Sequence, residues 1–244
     1  MAHEIARQCA PRLQVGVLPR SAGTVTLKLF SPRVLALTQT LRTLQNLGVT
    51  VTEELRVPLT LPEDRKAYLY RFEIETTPER IANLITDEER FVDALRALDE
   101  ETATDDALNV LVLQEGLSWR EVELLRTLRN HLLQVRTHYN AETVNGVLLR
   151  NSAVAASLFR SFAARFDPSV TDAREPGVAA ADAKVKKALE AVGSLAEDEV
   201  LRGMDNLVRA ALRTNFYQQP ARPVVSIKVD SRKVEGMPDR KSVV

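Results

Sequence analysis

The chain has 244 residues, 45% hydrophobic and 27% charged, enough for one large or two small domains with real cores. Its 33 basic and 33 acidic residues cancel, which excludes a general electrostatic attraction for nucleic acid or an anionic membrane surface. A single cysteine, Cys9, excludes an intrachain disulfide framework and points to a reducing compartment.

Residues 1–20 carry Pro11 and Pro19, which interrupt any helix, and a brief alternation of Leu13, Val15 and Val17 that suits a short edge strand. Cys9 lies here with no evident base nearby and reads as an inert thiol. Thr24–Phe30 sets Val25, Leu27 and Leu29 against Thr24, Thr26 and Lys28, the pattern of a half-buried strand. Ser31-Pro32 then opens a helix with Val34, Leu37, Leu41, Leu44 and Leu47 on one face, closed by Gly48 as a left-handed cap. Val49–Leu61 is a second strand, with Pro58 marking an edge or an irregular end. Ala67–Glu75 is a third, hairpin-paired to the second, with Tyr68, Tyr70, Phe72 and Ile74 on one face. Strand, helix, strand, strand within about fifty residues is too small for a doubly wound fold and suits a ferredoxin-like open-faced sandwich.

Thr76-Thr77-Pro78 caps a helix through Ile81, Leu84 and Ile85, and Glu88–Leu98 continues helically. Glu100–Asp106 is an acidic turn without the register or central Gly of a calcium loop, so it reads as a solvated cap. Ala107–Gln114 is a short apolar helix. The central helix spans Gly116–Gln134. Ser118 and Glu121 form a capping box, Trp119 sits in the first turn, and Val122, Leu125, Leu128, Leu132 and Val135 make the apolar stripe. Arg126, Arg129 and Arg136 form a basic edge, read as a solvated face or intersegment ion pairs rather than an anion site. Asn140 and Asn151-Ser152 cap two further helices. Val170–Gly177 is a linker, Val178–Val192 a helix, and Ser194 with Glu197 a second capping box on a helix running to Thr214. Val224–Val229 is a lone strand, expected either to lack order with the residues after Tyr217 or to pair with an edge of the N-terminal sheet.

Chemistry-bearing motifs do not emerge. The nine glycines include no G-x-G, and there is no phosphate-loop, H-E-x-x-H, G-x-S-x-G or C-x-x-C pattern. His131 and His138 lie two helical turns apart, too far for one metal without a third partner, and His3 stands alone. No catalytic, cofactor-binding or metal-binding residue is assigned. No apolar run approaches a membrane span and the N-terminus lacks a secretory apolar core, so the expected location is cytoplasmic.

Six stretches, taken in order, resemble the large bacterial NAD-specific glutamate dehydrogenases. They are V-T-L-K-L-F at Val25–Phe30, L-R-T-L-Q-N-L-G-V-T-V at Leu41–Val51, L-N-V-L-V-L-Q-E-G-L-S-W-R-E-V at Leu108–Val122, L-F-R-S-F-A-A-R-F-D-P at Leu158–Pro168, A-L-R-T-N-F-Y-Q at Ala211–Gln218 and S-I-K-V-D-S-R-K-V at Ser226–Val234. The resemblance runs from Thr24 to Met237, and the ending P-D-R-K-S-V-V departs from it, as a truncated reading frame would. It implies an α+β chain: an N-terminal extension (1–23), the last ACT-like module (24–86), a helical domain (87–168), a linker (169–177), helices leading into the catalytic region (178–217), and a strand with a tail (218–244). It also implies NAD-dependent oxidative deamination of L-glutamate to 2-oxoglutarate and ammonium by the whole enzyme, a homo-oligomer. No catalytic residue of that reaction maps onto this chain, so the chain alone is expected to be inactive and to bind no NAD. An amino-acid effector would meet the Phe30–Val34 and Asn46–Val49 turns. A stand-alone amino-acid-sensing module and a helical scaffold are the alternatives.

Overall fold

Alternation of apolar and polar residues builds the first sheet. In the computed structural model, which describes residues 14–21, 24–136, 138–170, 174–219 and 224–236, β1 (Gln14–Ser21), β2 (Thr24–Ser31), β3 (Thr50–Thr60) and β4 (Lys66–Glu75) form one antiparallel sheet in the order β1-β2-β4-β3. His3 and Cys9 lie outside the described residues. Both β2 and β3 run antiparallel to β4, so they are parallel to each other with β4 inserted between them. That is the split βαβ arrangement, with α1 (Leu37–Asn46) as the crossover. The sheet also takes in β1, from residues that the sequence set apart as an N-terminal extension. The expected α+β open-faced sandwich is present.

The core follows from the register. Val25, Leu27 and Leu29 stand opposite Ile74, Phe72 and Tyr70, and all six side chains are buried. Each large apolar side chain taken out of water contributes about 1.5–3 kcal/mol, so these pairs are the main cohesive term of the sheet. Leu44 and Leu47 of the α1 region and Ile81 and Leu84 of α2 (Pro78–Thr86) are likewise buried. Thr77 caps α2, its hydroxyl accepting from the Arg80 amide, and Asp87 caps α3 (Glu88–Asp99). The acidic turn caps as well: Asp106 accepts from the Leu108 amide, ahead of α4 (Val110–Gln114).

The first helix starts later than Ser31-Pro32. Ser31 still pairs with Tyr68 as the end of β2, and α1 begins only at Leu37, after Ala36. The intervening turn is tied down by two side chains: the Ser31 hydroxyl accepts from the Arg33 amide, and the buried Tyr70 hydroxyl accepts from the Leu35 amide at 2.8 Å. Gly48 ends the α1 segment with φ +86°, as its place after Leu47 requires.

The chain divides into two compact units, Met1–Trp119 and Arg120–Val244. The second consists of most of α5 (Trp119–Val135), then α6 (Ala141–Arg150), α7 (Ser152–Phe166), α8 (Arg174–Glu190), α9 (Leu195–Ala210) and the antiparallel pair β5 (Ala211–Thr214) and β6 (Ile227–Val229). Asn140 caps α6 through the Thr143 amide. Phe159 and Phe162 of α7 meet Phe216, each with ring centroids 6.1 Å apart.

Four expectations change in this unit. The helix α8 starts at Arg174, so Pro176 and Gly177 lie in its first turn instead of a linker; proline is tolerated there because first-turn amides have no intrahelical acceptor. Ser194 precedes α9 without a side-chain cap, because Glu197, the other half of the expected box, is drawn to Arg150 and Asn151. Asn151 likewise makes no side-chain cap on α7; its amide donates to Val147 O and to Glu197. The C-terminal strand is neither orphaned nor paired with the first sheet. The helix α9 ends at Ala210, Ala211 turns extended, and residues 211–214 become the strand that pairs with Ile227–Val229.

Two glycines give opposite predictions. A Cβ at Gly48 would sit 3.0 Å from Val110 Cγ2 on a left-handed backbone. Gly48→Ala is therefore expected to lower unfolding free energy by about 1–3 kcal/mol. In α6, Gly146 has helical backbone, and an added Cβ would meet only the end of the exposed Arg150 side chain. Gly146→Ala is expected to raise stability by about 0.5–1 kcal/mol. Urea denaturation of the two variants reads both signs.

Candidate functional site

The two turns singled out for an effector do not form one site. The Phe30–Val34 turn, which the structure places at Ser31–Leu35, borders a cleft between the start of α1 and the end of α3. Buried Leu29, Leu35, Leu95 and Leu98 line it, with Arg33 and Asp99 among its charged groups. Its volume is about 110 Å³, below the roughly 300–1,000 Å³ of ordinary ligand pockets. Several of its polar groups are already engaged. Arg33 donates to Asp99 at 2.6 Å, the Thr40 hydroxyl to Ala36 O, and the Thr43 hydroxyl to Asp105. The cleft offers one cation, Arg33, beside two anions, Asp99 and Glu101, and a ligand carboxylate would have to open the Arg33–Asp99 pair.

The Asn46–Val49 turn is filled instead. Gly48 O accepts from Thr76 Oγ1 at 2.7 Å and from Arg80 NH1 at 3.1 Å, while Arg80 NH2 donates to Gln114. This arginine ties the end of α1, the start of α2 and the end of α4 together. No sequence pattern announces it, because its partners lie 32 and 34 residues away.

The basic edge of the central helix is not a solvated face. Arg126 is 2% exposed and Arg129 is 7% exposed. Arg126 NH1 donates to Glu123 at 2.7 Å; Arg129 donates to Asn130 and, across to α6, to Asn145 at 2.7 Å. Helical spacing put these residues beside the apolar stripe, but α6 and its neighbours widen the buried face. Arg136 does form an intersegment ion pair, with Glu199 of α9. Two of the three arginines are therefore structural cations inside the helical unit.

His131 and His138 stay apart from any metal-binding cluster among the described residues. Burial pushes the His131 imidazole down, which keeps it neutral near pH 7, and His138 lies against Tyr139 with ring centroids 4.0 Å apart. Among the described residues no group of three or more His, Cys, Asp or Glu could hold a metal ion, and no helix is long and apolar enough to cross a membrane. The Tyr217 phenol is pushed up by burial, then by Asp167 and Glu121, so it stays protonated.

Comparison with known proteins divides the chain in the same order as its architecture. Residues 17–87 match the glutamate dehydrogenase ACT3 domain, residues 103–168 match glutamate dehydrogenase helical motif 3, and residues 184–244 match the bacterial NAD-glutamate dehydrogenase catalytic domain. The last match runs through Pro238–Val244, the tail that by eye departs from the family pattern. The NAD-specific glutamate dehydrogenase of Mycobacterium tuberculosis is 31% identical over 217 residues, which is 84% of this chain and 13% of that protein. Its counterpart in Halomonas elongata is 29% identical over 230 residues, 91% of this chain and 14% of that protein. The Pseudomonas aeruginosa enzyme is 31% identical over 187 residues, 75% and 12%. The chain thus spans about an eighth of the length of these curated relatives.

The buried arginine is the sharper test of the geometry. Arg126→Ala, which strips a desolvated partner from Glu123, is expected to cost on the order of 3 kcal/mol. Arg136→Ala, at a partly exposed pair, is expected to cost about 1 kcal/mol or less. Equal losses in thermal or urea unfolding would contradict the burial described here.

Proposed function

Because the chain belongs to the bacterial NAD-specific glutamate dehydrogenase family, we propose that it is the regulatory and connecting stretch of a longer cytoplasmic enzyme, a homo-oligomer. That enzyme converts L-glutamate and NAD to 2-oxoglutarate, ammonium and NADH. The observation that carries the reading is the order of the three matches on one chain: an ACT domain, a helical motif, then a catalytic-domain segment. The residues present favour a supporting role. The chain has no G-x-G turn on which a dinucleotide pyrophosphate could sit, and its buried Arg126 is engaged with Glu123. NAD and glutamate would be held by the remainder of the longer polypeptide, which is this chain's first partner.

A second reading concerns the cleft beside α1. An amino acid carries one carboxylate and one ammonium, and Arg33 with Asp99 presents the complementary pair. Both groups are partly exposed, at 61% and 23%, so exchanging their mutual contact for ligand contacts costs little. The module would then bind an amino-acid effector at the Ser31–Leu35 turn alone.

Two measurements test these readings. The purified chain is expected to yield no glutamate-dependent NADH and no heat on titration with NAD; sustained NADH formation by a preparation free of host enzyme would overturn the first. Titration calorimetry with a panel of amino acids is expected to give saturable heat that Arg33→Ala abolishes. No heat from any of them would leave the module with packing and assembly alone.

A further inference from the structure

Three helices of the second unit meet around charges that the functional reading leaves unused. Arg165 of α7 grips Asp182 of α8 through both carboxylate oxygens, NH1 to Oδ1 at 2.9 Å and NH2 to Oδ2 at 2.7 Å. The buried Ser161 hydroxyl donates to the same Oδ1 at 2.9 Å. On α9, Asp205 is 8% exposed. Its Oδ2 accepts from Arg209 Nε at 2.8 Å, while its Oδ1 is buried without a hydrogen-bond partner among the described residues. An ionised carboxylate oxygen left unpaired in a packed interior is costly, and Asp182 adds like-charge repulsion to that cost.

We propose that this cluster is a proton-sensitive latch on the seam of α7, α8 and α9, tightest when Asp205 is neutral and Asp182 is ionised. Arg165 and Ser161 lie in the stretch matched by helical motif 3, and Asp205 and Arg209 in the stretch matched by the catalytic domain, so the latch straddles that junction. The charged groups that act on Asp205 are Arg209, Asp182 and Arg165; several other charges on α9 and the elements beside it pair elsewhere. Arg150 of α6 pairs with Glu197, Arg136 with Glu199, Asp230 with Arg232, and Arg202 of α9 itself with Asp198.

The two acids titrate with opposite signs. Burial pushes the Asp205 carboxyl up, against the pull of Arg209, so the folded state holds that proton more tightly than the unfolded chain does. Its contribution to stability is present below the unfolded pKa and lost as pH rises through the folded one. Burial also pushes Asp182 up, but hydrogen bonds from Arg165 and Ser161 outweigh it and leave the group below the usual range. Its contribution is present above the unfolded pKa and lost as pH falls through the folded one. The seam is therefore tightest near the unfolded aspartate pKa, at about pH 4, and looser on either side.

Hydrogen exchange of the full chain, with protection in α8 and α9 corrected for intrinsic rates and followed from about pH 8 to about pH 2, tests the latch. Wild-type protection is expected to rise as pH falls through the Asp205 titration and to drop at more acidic pH. Asp205→Asn is expected to show several-fold greater protection than wild type at neutral pH and no such rise; Asp182→Asn is expected to show less protection. Parallel pH profiles for wild type and Asp205→Asn would overturn the proposal. If that variant does not fold, carbon NMR titration of the wild-type Asp205 carboxyl decides: a midpoint above the ordinary aspartate value of about 3.9 supports the latch, and one at or below it overturns it.

Discussion

Two guanidinium groups held out of water set the terms for the helical unit. Removing a cation from solvent costs several kcal/mol unless its donors are satisfied. Arg126 and Arg129 are both buried on α5, so their neighbours must supply oxygens at fixed positions. Glu123 does so from one turn back, and Asn145 does so from α6, which binds α6 to α5 at a defined height along the helix. Apolar packing alone would tolerate a slip by one turn; a buried arginine would not, because a slip leaves its donors unmatched. The same constraint recurs where the largely covered Arg165 meets Asp182. Directional pairs of this kind fix register between helices whose apolar stripes are otherwise interchangeable.

The first unit solves the same problem with backbone. The split βαβ order fixes which strands neighbour each other, and the register of β2 on β4 places the core side chains of those two strands. What remains to be fixed is how the helices return to the sheet. The Gly48 carbonyl does this as an acceptor for both Thr76 and Arg80, and the Tyr70 hydroxyl does it for the Ser31–Leu35 turn. A left-handed glycine is needed at one of these points because a side chain there would meet Val110.

Most of this fold was legible in the sequence, and the reasons differ by element. Strands β2 and β4 were read from period-two alternation and α5 from its period-3.6 stripe, since both periods reflect burial on one face. Local rules failed where a distant residue competed for the same group. Ser194 and Glu197 satisfy the capping-box pattern, yet Glu197 finds a cation in Arg150, 47 residues away, and the box does not form. The basic edge of α5 failed for a related reason: helical phase places Arg126 and Arg129, but only the packing of other helices decides whether that phase is wet or dry. The end of α9 shows a third kind of failure. Residues 211–214 have no feature that forbids helix, and they become strand because Ile227–Val229 offers them a ladder. At the cleft, Arg33 could be placed at the turn, but Asp99, 66 residues on, could not.

The same competition explains why the cleft and the cluster look different chemically. Arg33 and Asp99 meet near the surface, where water can replace either partner, so their pairing is weak and exchangeable. Arg165 and Asp182 are bidentate and largely covered, and removing either would strand the other in a medium that screens poorly. An exchangeable pair suits recognition, because a ligand can supply the same two charges. A covered pair suits transmission of position, because it has one favourable geometry and a steep cost away from it. Asp205 belongs to neither type. With one oxygen paired and the other buried without a partner among the described residues, it is a point in the helical unit where a single added proton relieves a desolvated charge.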